Sequence, residues 1–90
     1  VRPVRLSGAF KKDLERIRRR GYDRERLELV VNTLRQGRQL PASATAHPLK
    51  GEWSGYWECH VAPDWLLIYK FTANEVALAR TGTHSDLFSL

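Results

Sequence analysis

Hydrophobic and polar positions repeat along this chain with two periods, and the change of period divides it into a helical part and a strand part. Phe10, Leu14 and Ile17 fall on one helical stripe, with charged residues filling the other faces. Gly21 stops that helix, Asp23 stands where a second helix needs its N-cap, and Leu27, Val30, Val31 and Leu34 repeat at helical spacing until Gly37. This pattern predicts two antiparallel helices joined by a very short turn. Before them, Arg2 to Leu6 alternates weakly and ends at Ser7-Gly8, as a short first strand would. After them, residues 38–46 are polar, rich in small side chains and interrupted by Pro41, which predicts a loop.

From Tyr56 onward the period is two. Tyr56, Glu58 and His60 alternate with Trp57, Cys59 and Val61, so each set faces one side of a strand. Ala62-Pro63-Asp64 is a turn, because Pro63 cannot donate to a sheet ladder, and Trp65 to Phe71 is a central strand. Ala73-Asn74 turns the chain again into Glu75 to Thr81, with Val76, Leu78 and Arg80 on one face. Thr81-Gly82-Thr83-His84 breaks the alternation, and Ser85 to Leu90 forms a short tail. His47-Pro48-Leu49-Lys50-Gly51 reads as a short strand or an extended lead-in, and Gly51 and Gly55 bracket a turn around Trp53. The expected fold class is α+β: an N-terminal short strand and a helical hairpin packed on a mostly antiparallel sheet of four to five strands, in one domain over residues 1–90.

Composition narrows the classes available. Ninety residues support one modest core, filled here by three Trp, three Tyr and three Phe. The single cysteine, Cys59, can form neither an internal disulfide nor a thiolate metal cage alone, which fits a reducing cytoplasm. No apolar run approaches the roughly 20 residues of a membrane span, and the start shows no hydrophobic signal region. The chain opens on Val1 rather than Met, which points to a trimmed or replaced N-terminus. Fifteen Lys and Arg against ten Asp and Glu give a net charge of +5. Lys11, Lys12, Arg16, Arg18, Arg19, Arg20, Arg24 and Arg26 crowd into one region. Such a patch attracts polyanions through counterion release, but a solvated helix face or an acidic protein partner would account for it equally well.

The candidate chemistry lies at one edge of the strand region. His60 closes one strand of a meander, Asp64 sits in the following turn, and His84 follows the last strand. Two successive hairpins bring these ends to a common edge, so the three should be neighbours. Imidazole exchanges protons near neutrality, and a carboxylate beside it orients its tautomer. RNA supplies its own 2′-hydroxyl nucleophile. The protein must supply a base, an acid and a cation, roles open to the histidines, Asp64, and Arg80 or Lys50, with no cofactor. Trp65, beside Asp64, could stack on a base. Each histidine taken singly is more often a surface or structural residue than a catalyst. The three lack short ligand spacing such as H-x-x-x-H, so metal binding is not expected. Cys59 faces away from His60 along the strand, which disfavours a Cys–His nucleophilic pair.

Three segments carry a family resemblance: His47-Pro48-Leu49-Lys50-Gly51, His60 through Tyr69 with its Pro63-Asp64-Trp65 element, and Arg80-Thr81-Gly82-Thr83-His84 continuing to Phe88. In this order they resemble the YafQ toxins of the RelE/ParE superfamily, and the similarity spans the whole chain. The resemblance implies a RelE-like fold and a bacterial, cytoplasmic toxin of a type II toxin–antitoxin pair. Such a toxin cleaves mRNA in the ribosomal A site without metal and leaves a 2′,3′-cyclic phosphate. A cognate DinJ-like antitoxin neutralises it, and operator DNA is contacted only through that complex. The catalytic positions carry over to His47, His60, Asp64 and His84. Trp65 and Phe88 match aromatic positions, and Lys50, Arg80, Lys11, Lys12, Arg16 and Arg19 are expected to hold RNA phosphates. His84 is expected as the principal acid or base, with His60 or Asp64 as its partner. The competing class is a ParE-like non-catalytic binder of a protein target such as DNA gyrase, and a degenerate toxin kept only for operon regulation is a third.

Overall fold

Local capping decides where both long helices begin. In the computed structural model, which describes residues 1–88, the Ser7 hydroxyl accepts the Phe10 amide and opens α1 (Gly8–Arg19), while the Asp23 carboxylate accepts the Glu25 amide and opens α2 (Arg24–Arg35). Gly21 and Gly37 stand just beyond the helix ends with φ of 75° and 69°, a region that glycine enters without strain. The expected hairpin is therefore present.

Five strands follow the expected order of elements: β1 (Val4–Leu6) before the helices, then β2 (His47–Pro48), β3 (Trp57–Ala62), β4 (Trp65–Phe71) and β5 (Val76–Gly82). Their order across the sheet is β1-β5-β4-β3-β2, with β1 parallel to β5 and every other pair antiparallel. Short 3-10 turns at Ala42–Ala44 and Gly51–Trp53 punctuate the connections around β2. No helix among the described residues is long and apolar enough to cross a membrane.

The helices cover one face of the sheet. Phe10 and Ile17 of α1 and Leu27 and Leu34 of α2 bury themselves against Cys59, Val61, Trp65, Leu67, Tyr69, Val76 and Leu78. Leu66 and Ile68, the alternate residues of β4, are also fully buried but project to the opposite face. A central strand closed on both sides explains the unbroken apolar run from Trp65 to Tyr69.

Two expectations are corrected. Arg80 does not share a face with Val76 and Leu78. Tyr69 pairs with Leu78 while Ile68 pairs with Arg80, so Ala79 is an extra residue on β5, a β-bulge. The bulge puts Thr81 on the core side and turns Arg80 to the face of Ile68, and the Ser7 hydroxyl donates to the Ala79 carbonyl there (2.7 Å). The expected tail, in turn, contains a helix, α3 (His84–Leu87), opened by a reciprocal capping box between Thr83 and Asp86. Ser89 and Leu90, the rest of that tail, lie outside the described residues.

Candidate active site

Sheet register assembles the site. His47 on β2 lies opposite Glu58, Glu58 opposite Ile68, and Ile68 opposite Arg80. The adjacent row runs His60, Leu66, Gly82. Residues directly opposite one another share a face. His47, Glu58, His60 and Arg80 therefore stand together on the side of the sheet away from the two long helices. His84 joins them as the first residue of α3, with its ring centroid 6.0 Å from that of His60.

All three imidazoles are held in the same way. The Nδ1 of His47 lies 3.2 Å from the Pro48 carbonyl, that of His60 3.2 Å from the Pro63 carbonyl, and that of His84 2.8 Å from Asp64 Oδ1. Carbonyl and carboxylate oxygens can only accept, so each Nδ1 carries a proton, and in His60 and His84 Nε2 is the atom left for chemistry. Asp64 Oδ1 also accepts the His84 amide at 3.2 Å. The hydrogen bond from the His84 ring holds the Asp64 carboxyl below its ordinary value, aided by the amide bond and only weakly opposed by desolvation.

His47 has a carboxylate as well. Its Nε2 lies 3.4 Å from Glu58 Oε1, so both ring nitrogens face acceptor oxygens. Glu58 is almost wholly buried, yet it projects to the histidine face. Sequence reasoning placed Glu58 on the side of His60 but gave it no role; the missing signal was the pairing of β2 with β3.

Arg80 is fixed from behind. Its Nε and Nη2 donate to the Asp13 carboxylate of α1 at 2.6 and 3.1 Å, and the Thr81 amide donates to the same carboxylate at 3.1 Å. That hydrogen bond to Asp13 raises the Arg80 pKa, so its charge is permanent. Asp13 was not foreseen either, although a carboxylate between Phe10 and Ile17 on an apolar stripe was visible.

The remaining expected positions separate. Trp65, expected to stack on a base, is buried: its ring packs edge-on against Tyr22 at 5.0 Å, and its Nε1 donates to Thr81 Oγ1 at 2.9 Å. Tertiary partners distant in sequence claimed the side chain. Arg16 turns inward, with Nη1 3.4 Å from Asp13 and 3.8 Å from Asp86, rather than standing free for phosphate. Lys11, Lys12 and Arg19 are exposed on α1, and Lys50 is exposed just before the 3-10 turn at Gly51. Phe88, half-buried, ends α3 with its amide donating to the His84 carbonyl at 2.8 Å.

The histidine face is open rather than pocketed. Side-chain exposure is 57% for His84, 66% for Asp64 and 46% for His47. A shallow cleft of about 330 Å³ borders Asp64 beside Tyr22 and Arg26. A larger hollow, about 730 Å³, lies elsewhere, between Leu34, Leu40, Trp57 and Phe71. Among the described residues, no group of three or more His, Cys, Asp and Glu side chains is arranged to hold a metal ion.

Three comparisons place this architecture. Residues 2–89 match the family described as bacterial toxin of type II toxin-antitoxin system, YafQ. The mRNA interferase toxin YafQ of Escherichia coli K12 is 42% identical, over 97% of this chain and 96% of its own length. In the crystal structure of the E. coli DinJ-YafQ toxin-antitoxin complex, the matching chain superposes with a TM-score of 0.89 at 41% identity, covering 97% of both chains. A metal-bound toxin from Helicobacter pylori superposes with a TM-score of 0.92 at 37% identity, covering 98% of this chain and all of that one. Fold and site together define a toxin of the type II toxin–antitoxin class. The chain belongs to the YafQ toxin family.

Proposed function

We propose that this toxin is an endoribonuclease that cleaves mRNA in the ribosomal A site, without metal, and that a DinJ-like antitoxin neutralises it in the bacterial cytoplasm. The observation that carries the reading is the common anchoring of His47, His60 and His84 through Nδ1, which leaves the Nε2 atoms of His60 and His84 on one open face, with that of His47 beside Glu58. One imidazole removes the 2′-hydroxyl proton as the 2′-oxygen attacks phosphorus. A second, entering the step as imidazolium, gives its Nε2 proton to the departing 5′-oxygen, leaving a 2′,3′-cyclic phosphate and a 5′-hydroxyl end. His84, oriented by Asp64, is the principal acid–base group, with His60 beside it. Arg80 meets the charge that builds on the phosphoryl oxygens. The openness of the face suits a substrate held by a larger body, so the ribosome positions the message while Lys50, Phe88 and the exposed lysines of α1 contact RNA. Operator DNA is met only through the antitoxin complex.

The test is cleavage by purified protein added to translating ribosomes. Wild-type protein should produce message ends positioned in the A site, and His84→Ala should abolish them while retaining antitoxin binding. Stripping transition metals from the toxin while keeping the magnesium that ribosomes need should leave the rate unchanged. Intact message with wild-type protein would refute the reading in favour of a binder acting on a protein such as DNA gyrase.

A further inference from the structure

We propose that Asp13, on α1 outside the histidine face, is a positioning residue for the cleavage reaction and acts through Arg80. Asp13 is 1% exposed, a position at which a carboxylate is costly unless its oxygens are filled. Four donors fill them: Arg80 Nε at 2.6 Å, Arg80 Nη2 and the Thr81 amide at 3.1 Å, and Arg16 Nη1 at 3.4 Å. The Thr81 bond alone would pin α1 to the edge of β5, which β1 leaves uncovered past Leu78. The two-pronged contact to Arg80 adds something different, because a fork to a carboxylate fixes the plane of a guanidinium as well as its place. Arg80 stands in the row next to His60 and Gly82. With Nε and Nη2 committed, Nη1 is the nitrogen without a protein partner among the described residues. A cation held rigid before the reaction stabilises developing phosphoryl charge without reorganising, whereas a free arginine would lose that advantage. The bulge at Ala79 makes this possible, since it turns Arg80 to the histidine face while the next amide still points at Asp13.

The proposal rests on the ribonuclease reading, and the experiment separates the two. Single-turnover cleavage on programmed ribosomes is measured for wild type, Asp13→Asn, Arg80→Ala and the double variant. The Asp13→Asn side chain would keep an oxygen for the Thr81 amide but lose the charge that orients Arg80. The expected result is a rate at saturation reduced about tenfold to a hundredfold, with the apparent KM for ribosomes unchanged. Asp13→Asn should cost nothing further in the Arg80→Ala background, because a residue acting through another is silent once that other is gone. Arg80→Lys, which leaves Asp13 its Thr81 bond and keeps a cation without the fork, should be as slow as Asp13→Asn. Independent, multiplying losses in the double variant, or wild-type speed in Arg80→Lys, would overturn the role of Asp13 while leaving the ribonuclease reading intact. Failure of the wild type to cut would instead overturn that reading.

Discussion

Replacing Asp86 with alanine should detach α3 and, with it, the element that presents His84. Asp86 Oδ2 accepts the Thr83 amide at 3.0 Å, one half of the capping box, and Arg20 grips both carboxylate oxygens at 2.6 and 3.0 Å. Loss of the cap costs about 1 kcal/mol. The Arg20 fork, with Arg20 more than a third exposed, is screened by solvent and adds only a minor part to that. A loss of about 1 kcal/mol is a fall in Tm of about 4–8 °C for a domain of this size. Asp86→Asn should recover the cap but not the fork, so the two contributions can be read separately. The pH dependence has a definite sign. Arg20 holds the Asp86 carboxyl well below the usual carboxylate range, with further help from Thr83. A depressed folded pKa contributes stability that is fully present above the unfolded value of about 4 and is lost as pH falls through the folded one. Urea melts should therefore show a constant gap between wild type and Asp86→Ala from about pH 5 to 8, narrowing below about pH 4. A gap under about 0.5 kcal/mol, or one that widens in acid, would refute this account of how α3 is held.

Three other perturbations probe the core and the site. Thr81→Val keeps the side-chain shape but strands the buried Trp65 N–H and removes a donor from the Leu66 carbonyl, so it should cost about 1–3 kcal/mol in urea melts. An unchanged midpoint would mean that those bonds are replaced. Burial pushes the Cys59 thiol up to about 12, so iodoacetamide near neutral pH should label it only after denaturation. Labelling of native protein at the rate of a free thiol would contradict the packing of β3. Glu58→Gln removes the charge beside His47 and should slow single-turnover cleavage about tenfold without moving the melt. Unaltered cleavage would take Glu58 out of the site.

What could be read from the sequence was what neighbouring residues decide among themselves. The Asp23 cap, the glycines after each helix and the stripe from Phe10 to Ile17 are local signals, and the helices fall where those signals put them. His60, Asp64 and His84 were legible as neighbours because two tight hairpins join their strands. His47 was not, since a two-residue strand has no readable period and only its pairing with Glu58 sets its face. Arg80 was assigned the wrong face because Ala79, small enough to be slipped past, conceals the bulge. Trp65 beside a charged edge admits two readings, and Tyr22 and Thr81, far away in sequence, choose between them. The short helix at His84 was missed although Thr83 and Asp86 have capping-box spacing, because four residues are too few to show a helical stripe.

The parallel pairing of β1 with β5 has a consequence for how the toxin comes into being. Val4 meets Val76, and the Ser7 hydroxyl reaches the Ala79 carbonyl across a separation of 72 residues. A contact that closes so long a loop forms late and slowly compared with the local hairpins. During synthesis the first strand emerges early and waits without a partner until β5, and the histidine immediately after it, has been made. The sheet edge and the reactive face are thus completed at nearly the same moment. A chain still lacking β5 therefore lacks His84 as well, and its exposed first strand is the segment on which early misassembly would begin.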